Sequence, residues 1–297
     1  MASADSAVVV PDELAVVGQP QALWRRLAGH RLFVTGAVII VFMALLAIFA
    51  DVIQILPPEK MQVRLRFLRP EFAFPLGTDN YGRDIWSRLA HGARLSIAIG
   101  FAVALVTGIA GTTIGVFAGF FRRLDGPLMR FMDALMAFPA ILLALAIAAA
   151  LGPSASNAVI ALSIVYTPRT ARVVRSTVLV VREMDYVEAA RACGARDLWI
   201  IWRHVLPNSM APLLVQLTFI FAYAILAEAI LSFLGVGPPP PAPTWGNMIA
   251  EGKDYLREAP HLALFPGMAV AFTCLGLNLL GDGLRDVLDP RLRVQIG

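Results

Sequence analysis

Six stretches of this chain are almost wholly apolar, and polar, charged or proline-bearing segments separate them. They run roughly 32 to 50, 95 to 121, 131 to 151, 158 to 181, 210 to 235 and 262 to 281. A helix rises about 1.5 Å per residue, so about 20 residues cross a hydrocarbon core of about 30 Å. Each stretch is long enough to do so. Lipid offers no water to satisfy backbone groups, and the alternation of barrel strands is missing, so the spans are expected to be helices. The pattern predicts an all-α membrane protein of about six transmembrane helices. The fourth stretch departs from the others. Its apolar start, Ala158 to Tyr166, is short, and Arg169, Arg172 and Arg175 then follow at intervals of three, near one helical face. They read either as a voltage-sensor-like stripe or, preferred here, as the end of the span with guanidinium groups snorkelling to lipid phosphates.

The polar segments divide the rest. Residues 1 to 31 form an expected cytoplasmic tail, with 1 to 24 mixed in composition and mobile. No signal peptide is expected, because the first long apolar run starts near Leu32 and no Lys or Arg precedes Arg25. The membrane domain is expected over 32 to 285, with extracytoplasmic loops at 51 to 94 and 236 to 261 and a polar loop at 182 to 208. Residues 286 to 297 form the C-terminus. The second outside loop starts with a proline run that favours an extended polyproline segment. Trp245 to Leu256 then reads as a short interfacial helix with Trp245 and Tyr255 at headgroup depth.

Composition agrees with a membrane protein. Hydrophobic residues make up 58% and charged residues 15%, well below the quarter or so usual in soluble domains. Two Cys and four His are too few for a disulfide framework, and Cys193 and Cys274 are expected at different depths. No HExxH or CxxC pair supports a metal site. The net charge of +4 suits basic cytoplasmic loops rather than nucleic-acid binding, since the Arg residues are scattered between apolar spans. With the N-terminus inside, 16 of the 25 basic residues fall on the cytoplasmic side. Arg25, Arg26 and Arg31, and Arg122 and Arg123, carry that bias most clearly.

The segment Tyr186 to Asn208 stands out as a basic stretch between apolar spans. Glu188 to Cys193 suits a short helix whose small Ala189 and Ala190 admit close approach by another protein. Gly194 permits a turn that residues with a Cβ resist. Asp197 to Val205 reads as a second helix with an apolar face of Leu198, Ile201, Trp202 and Val205, ended by Pro207. On periodicity alone, this is an amphipathic helix lying on the membrane.

The full pattern, Glu-Ala-Ala, three residues, Gly, eleven residues, Leu-Pro, resembles the coupling motif of permease subunits of binding-protein-dependent ABC importers. The resemblance implies that Glu188, Ala189, Ala190, Gly194, Leu206 and Pro207 dock on an ATPase subunit. His204 stands where that motif has Ile. PLGTDNYGRDIWSRLAHGARLS at 75 to 96, EAILSFLGVG at 228 to 237 with the following Trp245-Gly246-Asn247-Met248, and DGLRDVLDPRLR at 282 to 293 are similar to the dipeptide, oligopeptide and nickel branch. The likeness runs from about residue 25 onward and points to the second permease of such a pair. It implies a bacterial inner-membrane subunit of type I permease fold, with both termini cytoplasmic. Its implied partners are a second homologous permease, two ABC ATPase subunits that bind ATP and Mg, and an extracytoplasmic solute-binding protein. The implied solute is a short peptide; nickel complexes, glutathione and other small solutes are alternatives.

This chain carries no GxxxxGK[ST] loop, so ATP hydrolysis is expected elsewhere. Glu228 lies inside an apolar span, where an ionisable group costs about 2.5 to 3.5 kcal/mol. It reads as a pathway or gating residue or as a packing contact, and Asn278 has the same two readings. Asp133 is expected to be structural, paired with Arg130 or with an arginine of the coupling loop. The GTDNYGRD turn reads as a packed loop, or as contact with a binding protein. A stand-alone channel or secondary transporter, or an intramembrane enzyme using Glu228 and Asn278, would lack any use for the coupling motif.

Overall fold

A computed structural model describes residues 23–288. Its helices are, in chain order, α1 (Leu23–Gly29), α2 (Arg31–Ile48), α3 (Ala50–Ile53), α4 (Ile85–Phe120), α5 (Arg122–Met136), α6 (Ala140–Leu151), α7 (Ala155–Val181), α8 (Asp185–Ala192), α9 (Asp197–Ile200), α10 (Leu206–Phe233), α11 (Trp245–Gly252) and α12 (His261–Leu288). Among the described residues the only β pairing is two isolated bridges, Glu71 with Phe74 and Thr78 with Asp84. The expected mobile tail and most of the last basic segment lie outside the described residues. The last residues of the expected 1 to 31 tail are helical as α1.

Close glycine contacts define how the long helices run. A Cβ at Gly115 of α4 would lie 2.6 Å from the Ala171 carbonyl oxygen, and one at Gly119 2.7 Å from Val178 Cβ. Both numbers rise together, so α4 and α7 run parallel. Gly100 of α4 faces Ile225 and Gly108 faces Leu217, so α4 and α10 are antiparallel. Gly36 faces Gly276 and Leu280, while Gly283 faces Phe33, so α2 and α12 are also antiparallel. One end of the bundle therefore gathers the ends of α4, α7 and α12 and the starts of α2 and α10. Residues 182–208 lie there. The other end carries residues 54–84 and 234–260.

The described residues hold four apolar spans, or five with the bent α5–α6 pair counted as one, and α7 runs beside α4 through the bundle. Arg31–Ile48, Ile85–Phe120, Asp197–Phe233 and His261–Leu288 are each long and apolar enough to cross a membrane. The third apolar stretch is not the single straight span expected over 131 to 151. It falls in α5 and α6, with an 89° bend between them. Pro139 precedes α6 and cannot donate to a continuing helix, and it drives Phe138 out of helical geometry. Helix α7 is 27 residues long, with its arginines on the face away from buried Val174 and Val178.

Three apolar clusters fill the bundle. Met43, Ile85, Trp245 and Leu262 pack at the loop end. Val103, Leu162, Ile220 and Leu231 pack in the middle. Val116, Val174, Val187, Ile200 and Val205 pack at the other end.

The loop end corrects three expectations. The loop expected over 51 to 94 gives way to helix at Ile85, because the Asp84 carboxylate accepts the N–H groups of Trp86 (3.3 Å) and Ser87 (3.0 Å) and caps α4. The proline run is not extended: Pro240 and Pro241 lie in a turn, with the Asn247 amide donating to the Pro238 carbonyl at 2.8 Å. The Trp245 ring is enclosed by protein rather than exposed to a membrane interface. It is fully buried, and its Nε1 donates to the Leu89 carbonyl at 3.1 Å. Tyr255 is half-buried, its ring 4.9 Å from that of Phe67. Cys193 is exposed beyond α8 and Cys274 is half-buried in α12; both are free.

Candidate functional site

The motif residues of the polar segment are built around α8. Asp185 and Glu188 occupy its first turn, where negative charge complements the helix dipole. Val187 is fully buried in the adjoining cluster and Ala190 packs against it. Glu188, Ala189 and Ala192 are left on the exposed face. Gly194 has φ +84°, a left-handed conformation that a Cβ resists. The Ala195 N–H bonds the Ala190 carbonyl at 3.0 Å and the Gly194 N–H bonds the Arg191 carbonyl at 2.9 Å. These two bonds form a Schellman turn, which ends α8 and aims the chain into α9.

The second helix differs from its expected form. Ile201–Val205 is a π-helical turn that joins α9 to α10, so Asp197–Phe233 forms one continuous helical rod. The wider turn adds a residue and shifts the faces. Ile200, Ile201 and Val205 are buried, whereas Leu198 is 61% and Trp202 72% exposed. Pro207 does not end the helix. It lies inside the continuous rod, two residues after the π-helical turn, at a place where its missing N–H interrupts the helical ladder. Leu206 packs against the cluster and Pro207 is exposed.

His204, the departure from the motif, is the hub of the segment. Its ring lies 5.4 Å from Tyr186 of α8 and 5.3 Å from Trp199 of α9. The Asn208 amide donates to the His204 carbonyl at 2.7 Å and to the Tyr186 hydroxyl at 3.4 Å. The two ends of the motif, 22 residues apart in Tyr186 and Asn208, are thereby joined. The aromatic residues were visible in the sequence, but their meeting depends on the turn at Gly194.

Two arginines of the α7 stripe pair with carboxylates of α5. Arg172 bonds Asp133 at 2.6 Å and Arg175 bonds Asp125 through two contacts of 2.6 Å. Asp133 therefore pairs with neither Arg130 nor a coupling-loop arginine, because the bend after α5 lays that helix beside the end of α7. Arg169 lies 6.0 and 5.7 Å from the ring centroids of Tyr166 and Tyr223. Arg182 donates to the Gly119 carbonyl at 2.6 Å.

Glu228 is fully buried in α10. It accepts hydrogen bonds from Ser232 at 2.7 Å and from Ser96 of α4 at 3.2 Å. The same Ser96 oxygen accepts the Trp245 N–H at 3.3 Å. Glu228 thus ties α4, α10 and the start of α11. Asn278 is half-buried on α12 and shares no hydrogen bond with Glu228.

A second ionic group lies at the loop end. Asp79 and Glu251 face Arg83 and Arg88 through four contacts of 2.6 Å. Asp79, Arg83 and Arg88 are each no more than 3% exposed. This network pins the GTDNYGRD turn to α11. Only the close spacing of Asp79, Arg83 and Arg88 hinted at it; Glu251 comes from far along the chain. Beside it, Asp51 accepts from Arg94 at 2.9 Å and lies 3.1 Å from His91. The Arg94 bond and then His91 hold the Asp51 carboxyl below its usual range.

The chain matches known families over most of its length. Residues 111–294 match the binding-protein-dependent transport system inner membrane component, and residues 19–70 match the N-terminal membrane domain of oligopeptide transport permease C. A Brucella abortus biovar 1 (strain 9-941) protein named as a permease of a peptide transport system is 55% identical, covering 91% of this chain and 92% of its own. The dipeptide transport system permease of Alkalihalophilus pseudofirmus is 41% identical, over 95% and 93%. Among solved structures, a chain of the methionine ABC transporter MetNI in inward-facing conformations superposes with a TM-score of 0.55 at 20% identity, covering 68% of this chain and 96% of that one. That likeness concerns the fold alone. An all-helical bundle with an exposed small-residue helix at one end, and these matches, lead to one conclusion: the chain belongs to the binding-protein-dependent transport system inner membrane components, the permease subunits of ABC importers.

Proposed function

We propose that this permease forms half of a translocation pathway for short peptides, beside a second homologous permease. The names of its relatives support peptides as the solute. The end bearing α8 faces the cytoplasm in this reading, in keeping with the 16 of 25 basic residues assigned to that side. Two ATPase subunits bind there and hold ATP and Mg. A solute-binding protein docks at the opposite end, over residues 54–84.

One observation carries the docking role. Glu188 and Ala189 stand exposed on a helix that buried Val187 and the Gly194 turn hold in place. A rigid, small-residue helix transmits a push without bending. Closure of the ATPases then moves α8, and α7 and α10 follow through the shared cluster. ATP and the binding protein shift the bundle only by their differential affinity for its two states. Glu228 and Asn278 are the candidate gating groups. Glu228 has the better position, since it joins two long helices to α11.

A detergent pull-down of the tagged chain from its native membrane tests the reading. Recovery of a second permease and Walker-motif ATPases supports it, and the co-purifying binding protein identifies the solute. Recovery of the chain alone, as a homo-oligomer, overturns it.

A further inference from the structure

Two cavities adjoin at the α8 end, and their walls are chemically opposite. The first is a groove of about 530 Å³ along α4, closed by the π turn and the start of α10. Leu105, Ile109, Phe117, Leu198 and Trp202 line it. Ile109 is 63% exposed. The second is a cleft of about 560 Å³, walled by Phe120, Phe121, Arg122, Arg123, Arg191 and Asp197 among others. The two lie side by side: Phe117 of the groove stacks on Phe121 of the cleft with ring centroids 5.8 Å apart, and Leu198 of the groove follows Asp197 of the cleft.

The dimensions and charges suit one kind of molecule. From Leu105 to Phe117 the groove follows about 18 Å of helix, close to the hydrocarbon depth of one leaflet, about 15 Å. At its end three arginines face one aspartate. Among the described residues, Arg123 and Arg191 have no carboxylate partner, and the Arg122 contact with Glu183 is a long 4.0 Å between exposed groups. Arg191 lies 5.2 Å over the Phe120 ring. Phe121 precedes α5 and offers no side-chain cap, so the positive end of that helix adds to the field.

We propose that groove and cleft together hold one anionic phospholipid. Its acyl chains lie along α4, and its phosphate rests against Arg122, Arg123 and Arg191. Since Arg191 belongs to α8, the lipid joins the bilayer directly to the coupling segment. The assignment to the cytoplasmic leaflet rests on the orientation proposed above; the site itself does not.

The test uses the whole complex purified from its native membrane, delipidated and exchanged into nanodiscs of phosphatidylglycerol or phosphatidylcholine. Native mass spectrometry then reads bound lipid per chain. The expected result is one retained phosphatidylglycerol and no retained phosphatidylcholine. Retention falls about tenfold or more in Arg122→Gln/Arg123→Gln and in Ile109→Trp, which fills the groove, and it survives in Arg122→Lys/Arg123→Lys. Equal retention of both lipids overturns the proposal, and that comparison needs no variant. Three other results overturn it as well. They are displacement by inorganic phosphate, high-yield crosslinking of Ile109→Cys to a neighbouring subunit, and loss of ATPase subunits from the double Gln variant at unchanged lipid content.

Discussion

Arg175 on α7 grips Asp125 on α5 with two parallel bonds, Nε to Oδ1 and Nη2 to Oδ2, each 2.6 Å. The side chains are 31% and 28% exposed, so solvent screens part of the attraction. Asp125→Asn is expected to cost about 1 kcal/mol in detergent unfolding. The charge-swapped pair, Asp125→Arg with Arg175→Asp, should recover part of the loss. An unchanged midpoint in the single variant would mean that the pair adds nothing to stability.

Glu188→Lys reverses the charge on the exposed face of α8 without touching buried Val187. Coupled uptake should vanish while the amount of subunit in the membrane stays normal. Uptake at the normal rate would rule out docking through this face.

Two glycines should respond in opposite ways. Gly115→Val drives side-chain atoms against the Ala171 carbonyl, where even a Cβ would lie at 2.6 Å. Overpacking of that kind costs about 1 to 3 kcal/mol. Gly267, inside α12, has open space where a methyl group would go, with nothing beyond its chain neighbours and its own helix backbone within 4 Å, so Gly267→Ala should stabilise by about 0.5 to 1 kcal/mol. Thermal unfolding of both proteins in one detergent makes the comparison; equal effects would remove the role given to the α4–α7 contact.

Glu228→Gln keeps one oxygen to accept from a serine and turns the other into an NH2 that can donate to the second serine's hydroxyl oxygen, and folding should change by no more than about 1 kcal/mol. If Glu228 gates, the basal ATPase rate of the assembled importer changes. Glu228→Leu strands both hydroxyls and should cost about 1 to 3 kcal/mol for each. An unaltered ATPase rate in the Gln variant would reduce Glu228 to a packing contact.

Glu251→Ala leaves Arg83 and Arg88 sharing one carboxylate in a buried site. Unpairing buried charge costs about 3 to 5 kcal/mol, lessened here because Glu251 is 21% exposed. A clear drop in the unfolding midpoint is expected, with little response to added salt. A strongly salt-dependent loss would show that water already enters the network.

What could be read along the chain and what could not divide on locality. Four of the six apolar stretches fold as the spanning helices α2, α4, α10 and α12, because each span must satisfy its own backbone. The turn at Gly194 was legible because few residues tolerate its conformation. The face of α9 was not, since one extra residue in the π turn moves Leu198 and Trp202 outward. Trp245 looked interfacial by type, yet its partner Leu89 is 156 residues away. Asp133 found Arg172 only because Pro139 folds α5 across the bundle. The misses at Trp245 and Asp133 are contacts decided by residues far along the chain, and periodicity carries no record of those.

The α2–α12 seam has a consequence for the shape of the molecule. Gly36 and Gly276 bring the first and last long helices into backbone contact, and His30 reaches Asp286 at 3.4 Å. In space the described chain is therefore a closed hoop, with no outermost helix at either terminus. A short linker could join its ends and a new opening could be cut in a surface loop such as that after Gly152, leaving every helix beside its present neighbours.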